Sequence, residues 1–214
     1  MITTLIFDLD GTLADTERLH CLAYQQALAE FGVDISDTEY DEHWIRRGLN
    51  IDEFVAARGL DIDPDVIRRD KSVRFGRLAR TEAKPMPGVH AALEALRDRR
   101  RLVLATSSHR DAAAAVLDTL ALAGCFEYIA TKENATRVKP APDVHLHVMD
   151  TVGLTPGECL VVEDAEKGVK AAAAAGIRCV AVPNPHTAGH DFSQATRVLA
   201  SLSELTPDLI DRLE

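Results

Sequence analysis

The segment "LIFDLDGTLADTE", residues 5–17, decides the fold. An apolar run closes on two carboxylates, Asp8 and Asp10, and Gly11 and Thr12 follow at once. The run reads as a short buried strand, and Asp-Gly is a turn signal that ends it. Two like charges at the tip of such a strand are expensive to bury, so the rest of the chain must bring positive charge beside them.

Similar short runs recur at residues 102–105, 128–130, 160–162 and 179–182, with helical stretches between them. Strands alternating with helices predict an α/β fold, a three-layer Rossmann-like core whose parallel sheet is covered on both faces. Glycines and prolines mark the joints. Pro87 and Gly88 precede the helical "VHAALEALRDRR", Gly124 ends "RDAAAAVLDTLALAG", and Gly176 ends the alanine-rich "EKGVKAAAAAG", whose small face suits close packing on a sheet. One stretch breaks the alternation. Residues 15–84 contain helical pieces and no good strand, and Leu19, Leu22, Ala23, Gln26, Ala27 and Phe31 trace a stripe of about 3.6-residue period. The organisation predicted is a core of residues 1–14 and 85–214 with an α-helical subdomain, residues 15–84, inserted after the first strand.

The 214 residues are 46% hydrophobic, enough for a real core, and carry 34 Asp and Glu against 24 Lys and Arg. A net charge of −10 gives no basic patch to neutralise a nucleic-acid backbone, so nucleic acid is not a predicted partner. No apolar run approaches the roughly 20 residues of a membrane span, and the chain enters its first strand without a signal segment. The four cysteines, Cys21, Cys125, Cys159 and Cys179, form no C-x-x-C pair and read as reduced, mostly buried thiols. Together these predict a cytoplasmic protein, monomeric, with no membrane partner.

Ligands of open parallel sheets gather beyond the carboxyl ends of the strands, so the residues that follow each strand are the candidates. They are Asp8 and Asp10 after the first, Thr106, Ser107 and Ser108 after "RLVLA", Lys139 in "TRVKPAPD", and Glu163 and Asp164 after "CLVV". Four carboxylates converging on one crevice attract a hard divalent cation, and all-oxygen coordination suits Mg²⁺. A nucleophilic carboxylate, a second carboxyl two residues on, a hydroxyl and a lysine then suit a phosphoryl group, which predicts a small phosphorylated metabolite as the partner.

With these residues in view, the chain resembles the haloacid dehalogenase superfamily of aspartyl-phosphate phosphatases. Its four motifs match in order, at "DLDGT" from Asp8 to Thr12, at Thr106, at Lys139 in "VKPAPD", and at Glu163 and Asp164 in "VVEDAEKGVKAAAAAG". The helical insert is similar to the cap of the branch holding β-phosphoglucomutase and phosphoglycolate phosphatases. The resemblance implies that Asp8 attacks phosphorus and that Asp10 serves as acid and then base. It implies Mg²⁺ held by the Asp8 side chain, the Asp10 backbone carbonyl and Asp164, with Glu163 a direct or water-mediated ligand. It assigns the phosphoryl oxygens to Thr106, Lys139 and the backbone at Ser107, and it disfavours dehalogenation because Asp10 is present.

In the insert, the resemblance suggests three substrate contacts: His20 in "DTERLH", and Arg47 and Gly48 in "RRGLN". A cap-helix histidine packed in place is the alternative for His20, and a solvated arginine for Arg47. Trp44 reads as core of the insert, and His145 and His147, two apart on a helix, cannot serve one metal. The leading expectation is a Mg²⁺-dependent phosphatase. The alternatives are a β-phosphoglucomutase-type isomerase, whose arginine after the cap glycine is unmatched by Leu49, Asn50 and Ile51, and a non-catalytic binding or regulatory module.

Overall fold

In the computed structural model, which describes residues 1–213, strand β1 (Thr4–Phe7) is buried at every position. The chain leaves it through the two-residue strand β2 (Ala14–Asp15) and runs through helices α1 (Glu17–Ala29), α2 (Asp37–Tyr40), α3 (Ile51–Ala57) and α4 (Pro64–Glu82). It returns through β3 (Lys84–Pro85), which pairs antiparallel with β2. Alternation then begins: α5 (Val89–Arg97), β4 (Arg101–Ala105), α6 (Arg110–Thr119), β5 (Tyr128–Ala130), α7 (Asp143–Val152), β6 (Cys159–Glu163), α8 (Glu166–Ala174), β7 (Arg178–Ala181), β8 (Arg197–Val198) and α9 (Pro207–Asp211). The six-stranded sheet has the order β5-β4-β1-β6-β7-β8, and all its pairings are parallel. The order reverses at β1, so β1 and its neighbours β4 and β6 frame the crevice where such sheets bind ligands.

The pleat sorts side chains between two cores. Leu5, Phe7, Leu104, Leu160 and Val162 face α5 and α6, where Leu93, Leu96, Val116 and Leu117 receive them. Ile6, Val103, Val161, Cys179 and Ala181 face the other layer, with Val144 and Val148 of α7 and Val169 and Ala172 of α8. The alanine-rich α8 buries Gly168, Val169, Ala171 and Ala172, so a small face does lie against the sheet.

The helical segment differs in detail from the periodic reading. Leu19, Ala23 and Ala27 of α1 are buried, but Gln26 and Phe31 are exposed, and Cys21 and Leu28 are buried instead. The cause is that α1 is packed on two sides: Leu19 and Ala23 join the core above the sheet, whereas Cys21, Ala27 and Leu28 join a separate cluster with Tyr40, Phe54 and Ile67. After α2 the chain widens into a π-helical turn, Asp41–Arg46, inside the stretch read as an ordinary helix. Trp44 packs in the same cluster, against Tyr24, Tyr40 and Phe54. Strand β8 is also additional; it is two exposed residues with no apolar run to announce it. All four cysteines are free thiols, and among the described residues no helix is long and apolar enough to cross a membrane.

Leu96 on α5 is fully buried and Glu94 is exposed. Leu96→Ala should cost about 2–5 kcal/mol of unfolding free energy by urea titration, whereas Glu94→Ala should stay within about 0.5 kcal/mol.

Candidate active site

The carboxyl ends of β1, β4 and β6 meet around one lysine. Asp8 directly follows β1 and its amide donates to Val162 O, which extends the ladder by one residue. Glu163 is the last residue of β6 and Asp164 the next. Lys139, buried in the loop after β5, donates to Asp8 Oδ1 at 2.6 Å, Glu163 Oε1 at 2.7 Å and Ala105 O at 2.8 Å. These three acceptors use every proton of its ammonium.

Two glycines make the cluster possible. A Cβ on Gly168 would stand 1.8 Å from the Glu163 carboxyl carbon, so the first turn of α8 must be bare for that side chain to lie there. A Cβ on Gly11 would stand 2.4 Å from Asp164 Oδ2 and 2.8 Å from Asn184 Nδ2, and Gly11 also adopts φ +81°, in the left-handed region. Asp164 in turn accepts from Thr12 Oγ1 at 3.1 Å and from Asn184 Nδ2 at 2.9 Å. Asn184 lies three residues past β7 and was not among the candidates. The rule that selected the others, reading just beyond each strand, would have found it.

Asp8, Glu163 and Asp164 each offer an oxygen, and the three lie within 4.8 Å of one another. Three buried carboxylates against one ammonium leave negative charge in a dry place. Burial raises Asp8 most, Lys139 opposes it, Glu163 and Asp10 add to the rise, and the carboxyl is pushed up to about 7. Asp164 is raised well above the usual range, by burial first and then by Glu163 and Asp8. Burial lowers Lys139, but Asp8 and Glu163 overcome that and hold its ammonium charged. A hard divalent cation fits this donor set, because it neutralises the excess charge through oxygen ligands alone.

Asp10 lives in different surroundings. Its Oδ1 accepts from Thr16 Oγ1 at 2.7 Å and meets His20 Nε2 at 3.2 Å, while Ser108 Oγ donates to Oδ2. Burial pushes its pKa up, yet these donors prevail, His20 foremost, and keep the carboxyl well below the ordinary range. His20 stacks on Phe75, with ring centroids 4.0 Å apart, and its Nδ1 lies 2.7 Å from Lys71 Nζ. An ammonium can only donate, so a neutral His20 accepts at Nδ1 and gives its Nε2 proton to Asp10. Lys71 is pulled down to about 8 by burial, against the pull of Asp10 and Glu17.

Thr106 is buried at the end of β4, and its Oγ1 accepts the Ser108 amide at 3.0 Å, which leaves the hydroxyl proton to donate. Ser107 and Ser108 line a cavity of about 200 Å³ between α6 and the helical segment, with His20, Tyr24, Lys71 and Lys132. Arg47 and Gly48 are exposed and do not line it; Asn50 and Arg68 occupy that wall. A wider depression of about 540 Å³ lies at the amino ends of the strands, beside Met1, Arg101 and Glu127, and none of the three clustered carboxylates opens into it. Volume therefore does not mark the chemistry here. His147 bonds Tyr128 Oη at 2.7 Å, and His145 is buried with no partner for either nitrogen among the described residues.

A family model described as haloacid dehalogenase-like hydrolase matches residues 5–182. Protein CbbY of Rhodobacter capsulatus is 32% identical over 224 residues, 99% of this chain and 99% of its own. The fructose-1-phosphate phosphatase YqaB of Escherichia coli is 31% identical over 185 residues, 83% of this chain and 95% of its own. A solved structure of a CbbY mutant from Rhodobacter sphaeroides, in complex with xylulose-(1,5)bisphosphate, has a TM-score of 0.84 at 30% identity, covering 96% of each chain.

The raised Asp8 carboxyl gives a pH test. Between its unfolded value near 3.8 and its folded value of about 7, the folded state holds the extra proton, so stability falls as pH rises through that window. In a chelator the melting temperature should drop from pH 5 to pH 7.5, and added Mg²⁺ should restore more of it the higher the pH. An equal Mg²⁺ effect at both ends, read by differential scanning calorimetry, would contradict this charge balance.

Proposed function

The chain belongs to the haloacid dehalogenase-like hydrolase family, and from that premise we infer that it is a Mg²⁺-dependent phosphoric monoester hydrolase acting on a small sugar phosphate. The observation that carries this reading is the contrast between two carboxylates two residues apart. Asp8 is packed with Lys139 among the acids at the sheet end, and Asp10 is turned away among hydroxyl and imidazole donors. The two positions differ in what they face, Asp8 the candidate metal site and Asp10 the hydroxyl and imidazole donors, and that placement supports different roles for them.

Asp8 Oδ1 or Oδ2 attacks phosphorus, the bond to the leaving oxygen breaks, and an aspartyl phosphate forms on Asp8. Asp10, protonated when the phosphorylated substrate brings its negative charge close, gives its proton to the leaving alkoxide. Ser108 can rotate to accept from a protonated Oδ2, so the same hydroxyl serves both states of the acid. Asp10 then takes a proton from the water that attacks the aspartyl phosphate, which returns Asp8 and releases inorganic phosphate. Thr106 holds a phosphoryl oxygen with its free hydroxyl proton, and the Ser107 amide supplies a further donor. Lys139 keeps Asp8 and Glu163 in place, and it binds the phosphoryl group by exchanging one of its three present acceptors. Asp8, Asp164 and Glu163, with the Asp10 carbonyl, would hold Mg²⁺, whose positive charge would keep Asp8 ionised and let a dianionic phosphate approach.

We assign residues 15–84 to a cap that closes over the substrate, hinged at the β2 and β3 pair. His20 and Lys71 reach Asp10 from this segment, and His190 Nε2 donates to Ile45 O from the core side at 3.2 Å. Closure thus brings the residues that orient the acid and excludes bulk water during transfer.

Inorganic phosphate release from a panel of sugar phosphates with Mg²⁺ tests the reading. Asp8→Asn should lower kcat by roughly a thousandfold or more with folding intact, and a chelator should abolish release. Turnover that survives Asp8→Asn, or no release from any compound, overturns it.

A further inference from the structure

The three clustered carboxylates are not held alike. Asp8 and Glu163 share the ammonium of Lys139, but Asp164 has no cationic side chain at ion-pair distance among the described residues. Neutral donors hold it instead: Thr12 Oγ1 donates to Oδ1 at 3.1 Å, and Asn184 Nδ2 donates to Oδ2 at 2.9 Å. Both donors are buried. Neutral donors fix a carboxylate without cancelling its charge, so Asp164 is the least compensated of the three acids.

The amide of Asn184 has one workable orientation. Its Oδ1 accepts from the amides of His186 at 2.8 Å and Thr187 at 3.2 Å, and its own backbone amide donates to Thr187 Oγ1 at 3.0 Å. With Oδ1 turned into this loop, Nδ2 faces the site, where its two protons go to Asp164 and, at 3.2 Å, to Gly11 O. A flipped amide would set oxygen against oxygen at the site and N–H against N–H in the loop. One side chain thus joins the turn after β1 and the acid after β6 to its own loop after β7. Gly11 lacks a Cβ where these groups meet, and one built there would collide with both Asp164 and Asn184. Asn184 does not line the cavity that holds Ser107 and Ser108, so its contact is with the acid cluster and not with that space.

Resting on the reading of a Mg²⁺-dependent hydrolase, we propose that Asn184 is a positioning residue for the metal site. Its amide holds the Asp164 carboxylate in the orientation that a divalent cation needs, and its Asx turn after β7 aims that amide. Mg²⁺ affinity therefore depends on a residue that is itself no ligand.

Isothermal titration of Mg²⁺ into the chelator-treated full-length protein, without substrate, tests this. Asn184→Ala should raise the Mg²⁺ Kd by about tenfold or more, the range for residues that hold metal ligands. Asn184→Ser should raise it likewise, because the hydroxyl still accepts from the loop amides but the amide donor is gone. Thr187→Val disturbs the same loop and spares that donor, so its Kd should stay near the wild-type value while its melting temperature in chelator falls. A Kd unchanged or lowered in both Asn184 variants, with wild-type binding intact, overturns the proposal and leaves the hydrolase reading standing. Equal rises in Kd in Asn184→Ser and Thr187→Val also overturn it, since loop stability then accounts for the effect. Wild-type protein that takes up no Mg²⁺ overturns the metal-dependent reading and this inference with it.

Discussion

Three carboxylates held within 4.8 Å of one another are the constraint on which the rest of this molecule depends. Asp8, Glu163 and Asp164 are all buried, and water cannot screen them. The chain answers with Lys139, whose three protons all go to this cluster and to Ala105 O. It answers also with absences. Gly168 gives Glu163 the space of a missing Cβ, and Gly11 does the same for Asp164 and Asn184. A cluster with this much uncompensated negative charge suits a hard cation, and binding one would add to the stability of the fold.

The same few residues explain how two neighbouring acids come to differ. Asp8 and Asp10 are separated by Leu9, which is fully buried in the core above the sheet and pins the chain as it leaves β1. Gly11, with its positive φ, then turns the backbone back, and its amide bonds Ala14 O at 2.8 Å. Asp8 therefore stays with the sheet, while Asp10 is delivered toward α1 and α4. The two carboxyls are displaced in opposite senses, Asp8 upward by burial among the other acids and Asp10 downward by its donors, His20 foremost.

The core was legible in the sequence because its signals are local. Leu5 to Phe7, "RLVLA" and "CLVV" are buried on both faces and so read as continuous apolar runs, and each is followed by the residues that the crevice needs. What stayed hidden depends on neighbours far along the chain. Lys71 is one of many charged residues in α4 and acquires meaning only because α4 packs beside α1 and meets His20, 51 residues earlier. Ser108 was one of two equivalent serines until its contact with Asp10 distinguished it. The stripe misled at Gln26 because a helix between two cores has two apolar sides, which a single period does not describe, and at Phe31 because α1 ends at Ala29. Arg47 and Gly48 lie exposed and outside the cavity just past the π-helical turn Asp41–Arg46, and composition does not reveal that turn.

Two acid–imidazole–lysine bridges share the cavity of about 200 Å³. The bridge through His20 links Lys71 to Asp10. The bridge through His109 runs from Lys132 to Glu133, which touches no reacting group; Thr131 and the Arg110 amide hold that carboxylate and keep it at about 2, although burial alone would raise it. A contact that is free of the reaction can change without altering the core motifs, and this is where a family with one fixed chemistry can vary its substrates.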